Sequence, residues 1–570
     1  MSSFCKDIYR DIKKSATRLL GMLTIVALGV FVFAGLGNTG NVMRIIGNDY
    51  FQSANFADIK IVSPIGFTEE DLTIIRSIWN VEQVQGSYTL DFIARYGDNW
   101  LTTRVNNIEL GHLMDSQINR PTLLEGRYPV SRNEVLVEPM LLEALHLAIG
   151  DKLELGSENI GNYFETNFFK IVGTVQSPLY FFYDRGSSLI GSGRVDCFIL
   201  IPTESFIRDA FTEVFVNVSS SNELFIYGDE YKELIASVIK ELNALSNMHD
   251  FKWHVMNREF NFGYMAFSQA ADTIEDIGRM IPYLFFLIAA LICLTTMSRL
   301  VYEQRTKMGT LKALGYNDQI ILFRYLLYAI VPTLLGSLFG GYLGLLIVPQ
   351  VVINGAYGGA FAIPSFQSEI NLLYWLGGAA VAIFTTSSAT IISIIKELRE
   401  QPLQLMRPKA PEAGKKTPME YMPFIWKNFS FIQKVTFRNI FRSKMRLFMT
   451  LVGVGGCAGL LLTGLALRDS ISGIIEKQYT EISKYDMVVL FRENTPFSSI
   501  NNLTNDIMED SYIQALMAMN QQHLYISTAD SDIYRVTLIT PQNNDIGMLI
   551  HLRNRRTQST IELRACLKSF

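Results

Sequence analysis

Five apolar runs, each about 20 residues or longer, limit what this chain can become: residues 19–37, 280–298, 326–352, 372–395 and 447–467 contain no Asp, Glu, Lys, Arg or His. Roughly 20 apolar residues cross the hydrocarbon layer as a helix, and there every backbone N–H and C=O must be satisfied inside the segment. Five membrane-spanning helices are therefore expected. The first run follows Lys13, Lys14 and Arg18 as a signal peptide would, but no small-residue cleavage site precedes a polar stretch, so it reads as a retained anchor. At 49% hydrophobic and 18% charged residues the chain is too apolar for an ordinary soluble protein and too charged for an all-membrane one. Folded soluble parts must lie between the spans.

Lys and Arg in short loops favour the cytoplasmic side. Lys6, Arg10, Lys13, Lys14 and Arg18 precede the first run; Arg299, Arg305, Lys307, Lys312 and Arg324 lie between the second and third; twelve Lys and Arg from Lys396 to Arg446 lie between the fourth and fifth. These segments are expected inside, with the N-terminus cytoplasmic. Residues 352–372 hold no Lys or Arg and are expected outside, as is everything from about 40 to 276. The expected location is the cell membrane, plasma or inner, crossed several times.

The chain also repeats itself. At an offset of 428 positions Arg10, Ile12, Ser15, Arg18 and Leu19 coincide with Arg438, Ile440, Ser443, Arg446 and Leu447, and beyond the apolar run Asp58 falls on Asp486. A basic lead-in, a span and the first strand of an outside domain thus occur twice, which is duplication of a unit of about 400 residues. Residues 1–39 are the lead-in and first span, 40–276 an outside domain, 277–400 three further spans with an inner loop at 299–325, 401–446 a linker and second basic lead-in, 447–467 the fifth span, and 468–570 a partial second outside domain. The second repeat is expected to be incomplete.

Residues 40–276 are enough for a domain with its own core. Runs at 58–62, 134–137, 168–175 and 195–201 have strand character, while 69–79 and 231–245 have helical spacing. The expected class is a polytopic α-helical membrane protein with α+β extracytoplasmic domains. Residues 161–167 and 186–193 read as mobile loops. The string Tyr180-Phe181-Phe182-Tyr183 suits either domain packing or the grip of an apolar substrate.

Several function classes are excluded. A net charge of −4 supports no nucleic-acid partner. The five cysteines are scattered and the six histidines lack paired spacing, so no metal, cofactor or catalytic residue is expected. No GxxxxGK[ST] string occurs, so ATP phosphates have no backbone cradle in this sequence. Uncharged spans argue against an ion-coupled carrier. Gly336, Gly340, Gly341 and Gly344 permit close helix contact, within the repeat or between subunits. Thr385, Thr386, Ser387 and Ser388 can return hydroxyl bonds to their own helix.

The sharpest local feature is the inner loop from Arg299 to Tyr316. Glu303 and Lys307, four apart, can share a helix face. Met308, Leu311 and Leu314 form an apolar edge, Gly315 is placed to stop the helix, and Asn317 or Asp318 can cap the next one. Such a helix either docks a cytoplasmic partner or anchors the span at the interface.

The string Glu303-Gln304-Arg305…Met308-Gly309-Thr310-Leu311-Lys312-Ala313-Leu314-Gly315 resembles the signature of FtsX-like, MacB-type ABC-transporter permeases. The basic run from Lys434 to Lys444 and Leu124-Glu125-Gly126-Arg127-Tyr128-Pro129…Asn133-Glu134-Val135-Leu136-Val137…Ile149-Gly150-Asp151 are similar to further motifs of that family. The resemblance implies a non-enzymatic permease subunit. A separate ABC ATP-binding subunit would engage Glu303, Arg305, Lys307, Met308, Gly309, Thr310, Leu311, Lys312, Leu314 and Gly315. Its hydrolysis would drive the outside domain to export or extract an amphiphilic or peptide-like substrate. A second permease copy is a possible partner beside the lipid bilayer. The alternatives are a mechanotransmission scaffold that regulates an extracellular partner and a non-functional truncated permease.

Overall fold

The computed structural model describes residues 10, 16–97, 99–111, 116–156, 160–188, 190–191, 193–207, 210–246, 253–368, 370–407, 423–442, 444–489, 497–508, 513–527, 533–541, 545–554, 557 and 559–560. The first lead-in at 11–15 and most of the linker from 408 lie outside them, as does the tail from 561. The chain divides into two units, Met1–Gly456 and Cys457–Phe570.

The first span does not stop where its apolar run does. Helix α1 covers Ala16–Ser53, 38 residues. At 1.5 Å per residue that is about 57 Å, against about 30 Å of hydrocarbon, so its last turns form a stalk. Val42, Met43, Ile46, Tyr50 and Phe51 are buried along it at helical spacing, which is why the stalk persists.

Beyond α1 come β1 (Ile59–Phe67), α2 (Glu69–Arg76) and β2 (Val81–Ser87). An inserted lobe follows: β3 (Thr89–Tyr96), β4 (Asn99–Ile108), β5 (Thr122–Gly126), β6 (Glu134–Val137), α3 (Pro139–Leu145), β7 (Lys152–Gly156), β8 (Phe168–Gln176) and β9 (Cys197–Pro202). The chain returns through β10 (Phe211–Val218), α4 (Asp229–Ser246) and β11 (His254–Asn257). The outer elements make an antiparallel sheet in the order β11-β1-β10-β2. Each helix links two strands across a third, the doubled split β-α-β topology of ferredoxin-like folds. In the inserted lobe the order β8-β6-β9-β4-β3-β7 closes because β7 pairs back onto β8, giving a six-stranded barrel with few free edges. Phe92, Val105, Val137, Leu155, Phe169 and Ile199 fill its core. Residues 161–167, expected to be mobile, are pinned here: Phe164 is buried and bridges Phe206.

The stalk meets this domain at a buried knot. Asp58 accepts hydrogen bonds from Tyr231 Oη (2.7 Å), Ser221 Oγ (2.7 Å) and Val218 N (2.8 Å) and faces Arg258 Nη2 at 3.0 Å. Arg258 also donates to the carbonyls of Phe56 and Ala57. The chain leaving α1 is thereby tied to the chain entering the second span.

That span is α5 (Phe262–Glu303), 42 residues, followed by α6 (Arg305–Ala313), α7 (Asp318–Val352), α8 (Leu372–Leu398) and α9 (Pro402–Met406). In the bundle α1 packs against α5, α7 and α8. The glycine stripe of α7 serves this packing: Gly336, Gly340 and Gly344 lie on the α1 backbone, and a Cβ at Gly336 would stand 2.8 Å from the Leu23 carbonyl. The stripe's two readings are thus resolved for these three glycines in favour of contact within the chain. Thr385 and Thr386 bond back to Val381 and Ala382, and Thr333 Oγ1 reaches Thr386 Oγ1 at 3.1 Å. Arg44 on α1 pairs with Asp272 and Glu275 on α5, beyond the apolar runs.

In the aromatic string Tyr180 and Phe181 are packing, while Tyr183 is half exposed. Phe181 is fully buried, with ring centroids 5.0 Å from Tyr50, 5.1 Å from Phe267 and 5.6 Å from Phe361. Ala362 N donates to the Phe181 carbonyl at 2.8 Å and Tyr183 N to the Ala360 carbonyl at 2.9 Å. The outside domain, both stalks and the loop between α7 and α8 converge on this one side chain.

The unit continues through α10 (Pro423–Lys427) and α11 (Phe431–Arg442); α12 (Lys444–Lys477) then carries the chain into the second unit. There a π turn (Gln478–Ile482) follows, then α13 (Phe497–Met508) and the hairpin β12 (Met519–Ser527) with β13 (Ile533–Pro541). The helix and π turn together cover the positions that α1 occupies at the 428-residue offset. Of the strand expected after Asp486 only the start is described: residues 487–489 lie outside any assigned strand and all three are exposed, and 490–496 fall outside the described residues. In the first unit β1 is held between β10 and β11. A β strand needs a neighbour for its backbone groups.

Candidate functional site

The ends of α5, α7 and α8 remote from the α+β domain form one site together with α6 and α9. α5 ends at Gln304, whose φ of −99° and ψ of 12° break the helix before Arg305. Glu303 and Lys307 therefore sit on different helices rather than on one face, and Glu303 Oε1 takes Arg299 Nε at 3.0 Å one turn back.

Arg305 opens α6 and is buried. Its Nε stands 2.9 Å from Glu397 Oε2 at the end of α8, an ion pair without hydrogen-bond alignment, and its Nη2 donates to Glu400. A guanidinium in the first turn opposes the helix dipole, and the two carboxylates offset it. Lys312, in the last turn, donates to the carbonyls of Leu398 and Glu400 and pairs with Asp318 at 2.8 Å. Both ends of α6 are clamped to the end of α8.

The apolar edge expected to face a partner is mostly inside. Met308 is fully buried among Tyr325, Tyr328 and Leu405, and Leu311 is half-buried against the same cluster. Gly309 is the close approach: an added Cβ would lie 2.9 Å from Leu405 Cβ and 3.0 Å from Met406 Cγ. Met308 must hide from water somewhere, and α7 and α9 offer the nearest apolar surface.

What remains outward is the C-terminal corner of α6. Thr310 is exposed and Leu314 is 71% exposed. Gly315 takes φ +87°; its N–H donates to the Lys312 carbonyl and that of Tyr316 to the Leu311 carbonyl, a Schellman ending that turns the chain sharply. Asn317 caps α7 by accepting from Gln319 N. Tyr302, Tyr316, Ile320 and Phe323 are exposed around this corner, and Leu403 and Met406 on α9.

Sequence reading missed Glu397, Glu400, Leu405 and the burial of Arg324, which is 1% exposed inside α7. A signal existed for the first two: they are acids three residues apart at the end of a span, in a segment otherwise basic.

Residues 279–402, from the inner part of α5 to the start of α9, match the FtsX-like permease C-terminal family. Over these residues the chain is similar to an FtsX-like permease domain. The clamp lies within that domain: Arg305, Lys312, Glu397 and Glu400 all fall inside the matched residues. Its spans are among five helices, counted over the described residues, that are long and apolar enough to cross a membrane. Similar solved structures include the extracellular domain of the noncanonic ABC-type transporter YknZ from Gram-positive bacteria, at 18% identity over 35% of this chain and 99% of that one, with TM-score 0.24. The periplasmic region of MacB from Actinobacillus actinomycetemcomitans is similar at 13% identity over 40% of this chain and 96% of that one, with TM-score 0.24. No curated protein matches the chain.

Proposed function

We propose that this chain is the membrane-spanning permease subunit of an ABC-type transporter, with its FtsX-like domain docked on a separate ATP-binding subunit through the Leu314–Tyr316 corner. One observation carries the reading: the clamp and the outside domain lie at opposite ends of one packed bundle, and α5 runs between them with a single break, at Gln304, before the clamp. α6 is locked to α8 by Arg305 and Lys312, and α1 and α5 run from the bundle into the Asp58–Arg258 knot and the Phe181 hub. Packed helices move as rigid elements with discrete arrangements, so a displacement imposed on α6 by ATP hydrolysis reaches the outside domain as movement of the stalks. The function is mechanical: export or extraction of an amphiphilic or peptide-like ligand presented outside. An open cleft of about 410 Å³ at the end of α1, lined by Ser53, Arg120, Leu123 and Tyr128, suits an extended ligand in contact with the moving stalk.

The test uses Leu314→Asp. Leu314 is exposed, so the variant folds and inserts, but a charge placed in a desolvated contact costs several kcal/mol. It is expected to lose the ATP-binding protein that co-purifies with the wild-type chain and to lose stimulated hydrolysis. Undiminished co-purification and hydrolysis reject the corner as the docking site.

A further inference from the structure

The stretch from Pro423 to Arg446 contains Lys427, Lys434, Arg438, Arg442, Lys444 and Arg446 and no Asp or Glu. It is also aromatic, and contacts from Trp426 of α10 and Phe429 of the following turn fold this segment back onto α11. The Trp426 ring lies 5.9 Å from Lys434 Nζ and 5.5 Å from the Arg438 guanidinium, and Phe429 stacks on Phe437 with centroids 5.0 Å apart. The same helix turns Phe431 and Ile432 outward, 81% and 76% exposed, with Val435 and Ile440 also exposed.

Large apolar side chains displayed beside concentrated positive charge suit the boundary of an acidic bilayer, where aromatic rings sit at headgroup depth and each cation meets the surface potential. Chain continuity names that boundary as the occupant. α11 ends at Arg442 and α12, whose apolar length suits a span, begins at Lys444, so α11 cannot stand far from the membrane surface.

We propose that α10 and α11 form an acidic-phospholipid site on the leaflet from which α12 enters the membrane. Lys434 and Arg438 bind headgroup phosphates, and Trp426, Phe431 and Ile432 enter the acyl boundary. The site is separate from the proposed ATPase contact and operates without it.

The experiment places the full chain in vesicles of phosphatidylcholine with increasing brominated phosphatidylglycerol or, in a parallel series, brominated phosphatidylcholine. The Trp426 contribution to quenching is the difference between wild type and Trp426→Phe. Brominated phosphatidylglycerol is expected to quench it at about fivefold lower mole fraction for each cation engaged. In the Lys434→Gln/Arg438→Gln double variant that preference disappears while quenching by both lipids persists. Equal quenching by the two lipids in wild type overturns the acidic preference. Absence of quenching by either overturns the membrane site and leaves a protein partner as the cover. If the double variant fails to insert, the wild-type comparison decides alone.

Discussion

Arg305 Nε stands 2.9 Å from Glu397 Oε2, with side chains only 9% and 11% exposed, and this pair joins the helix after the second span to the end of the fourth. Removing one partner of a buried pair leaves the other charge uncompensated, at a cost of about 3–5 kcal/mol. Arg305→Ala is therefore expected to lower the unfolding temperature of the detergent-solubilised chain markedly. Glu397→Ala in the same chain should restore part of the loss. A double-mutant cycle measures the coupling, and strictly additive losses would show that the two side chains do not act together.

The knot at the base of the outside domain is more deeply buried, with Asp58 and Arg258 side chains 0% and 3% exposed. Asp58→Ala removes the acceptor for Tyr231, Ser221 and Val218 and strands Arg258, a loss of about 3–5 kcal/mol. The outside domain should become sensitive to limited proteolysis, while the spans, which pack elsewhere, still insert. Unchanged proteolysis would contradict the knot's structural role.

Arg127 and Glu134 pair with each other, the guanidinium donating to both carboxylate oxygens while Val130 N adds a third bond at 2.8 Å. The Arg127 bond is the main reason that the Glu134 carboxyl is held down to about 2 from an ordinary 4.5. A carboxylate with a lowered folded-state pKa stabilises the fold above its ordinary value and loses that contribution as the pH falls through the folded one. The thermal midpoint of the outside domain is thus expected to drop between pH 4.5 and about 2. Glu134→Gln should be less stable than wild type at pH 7 and should change less across that window, as followed by circular dichroism. Parallel pH profiles for the two proteins would refute the assignment.

Ser53 ends the first stalk and Thr310 lies on α6, and both are exposed. Labelling of cysteines at the two positions in intact cells therefore reports sidedness, not burial. An impermeant thiol reagent is expected to modify Ser53→Cys and to spare Thr310→Cys until the membrane is permeabilised. Modification of Thr310→Cys in intact cells would invert the topology and remove the proposed ATPase contact with it.

Local properties were legible in the sequence because the chain carries them without its partners. An uncharged run of sufficient length spells a membrane helix wherever it packs. Alternation and β-branched content at 134–137 and 168–175 marked β6 and β8, and Gly315 announced the end of α6 because only glycine takes φ +87° at no steric cost. Even the span limits fell short, since the stalk of α1 is held by Val42, Met43 and Phe51 against elements from other parts of the chain. Periodicity says that a side chain will be hidden, not what will hide it. Met308 looked like a docking residue until α7 and α9 closed over it, and Glu397 and Glu400 acquired their role only when Arg305 was brought to them across more than ninety residues. Sequence determined which segments must leave water; tertiary structure decided against what, and so which corner of α6 stayed exposed.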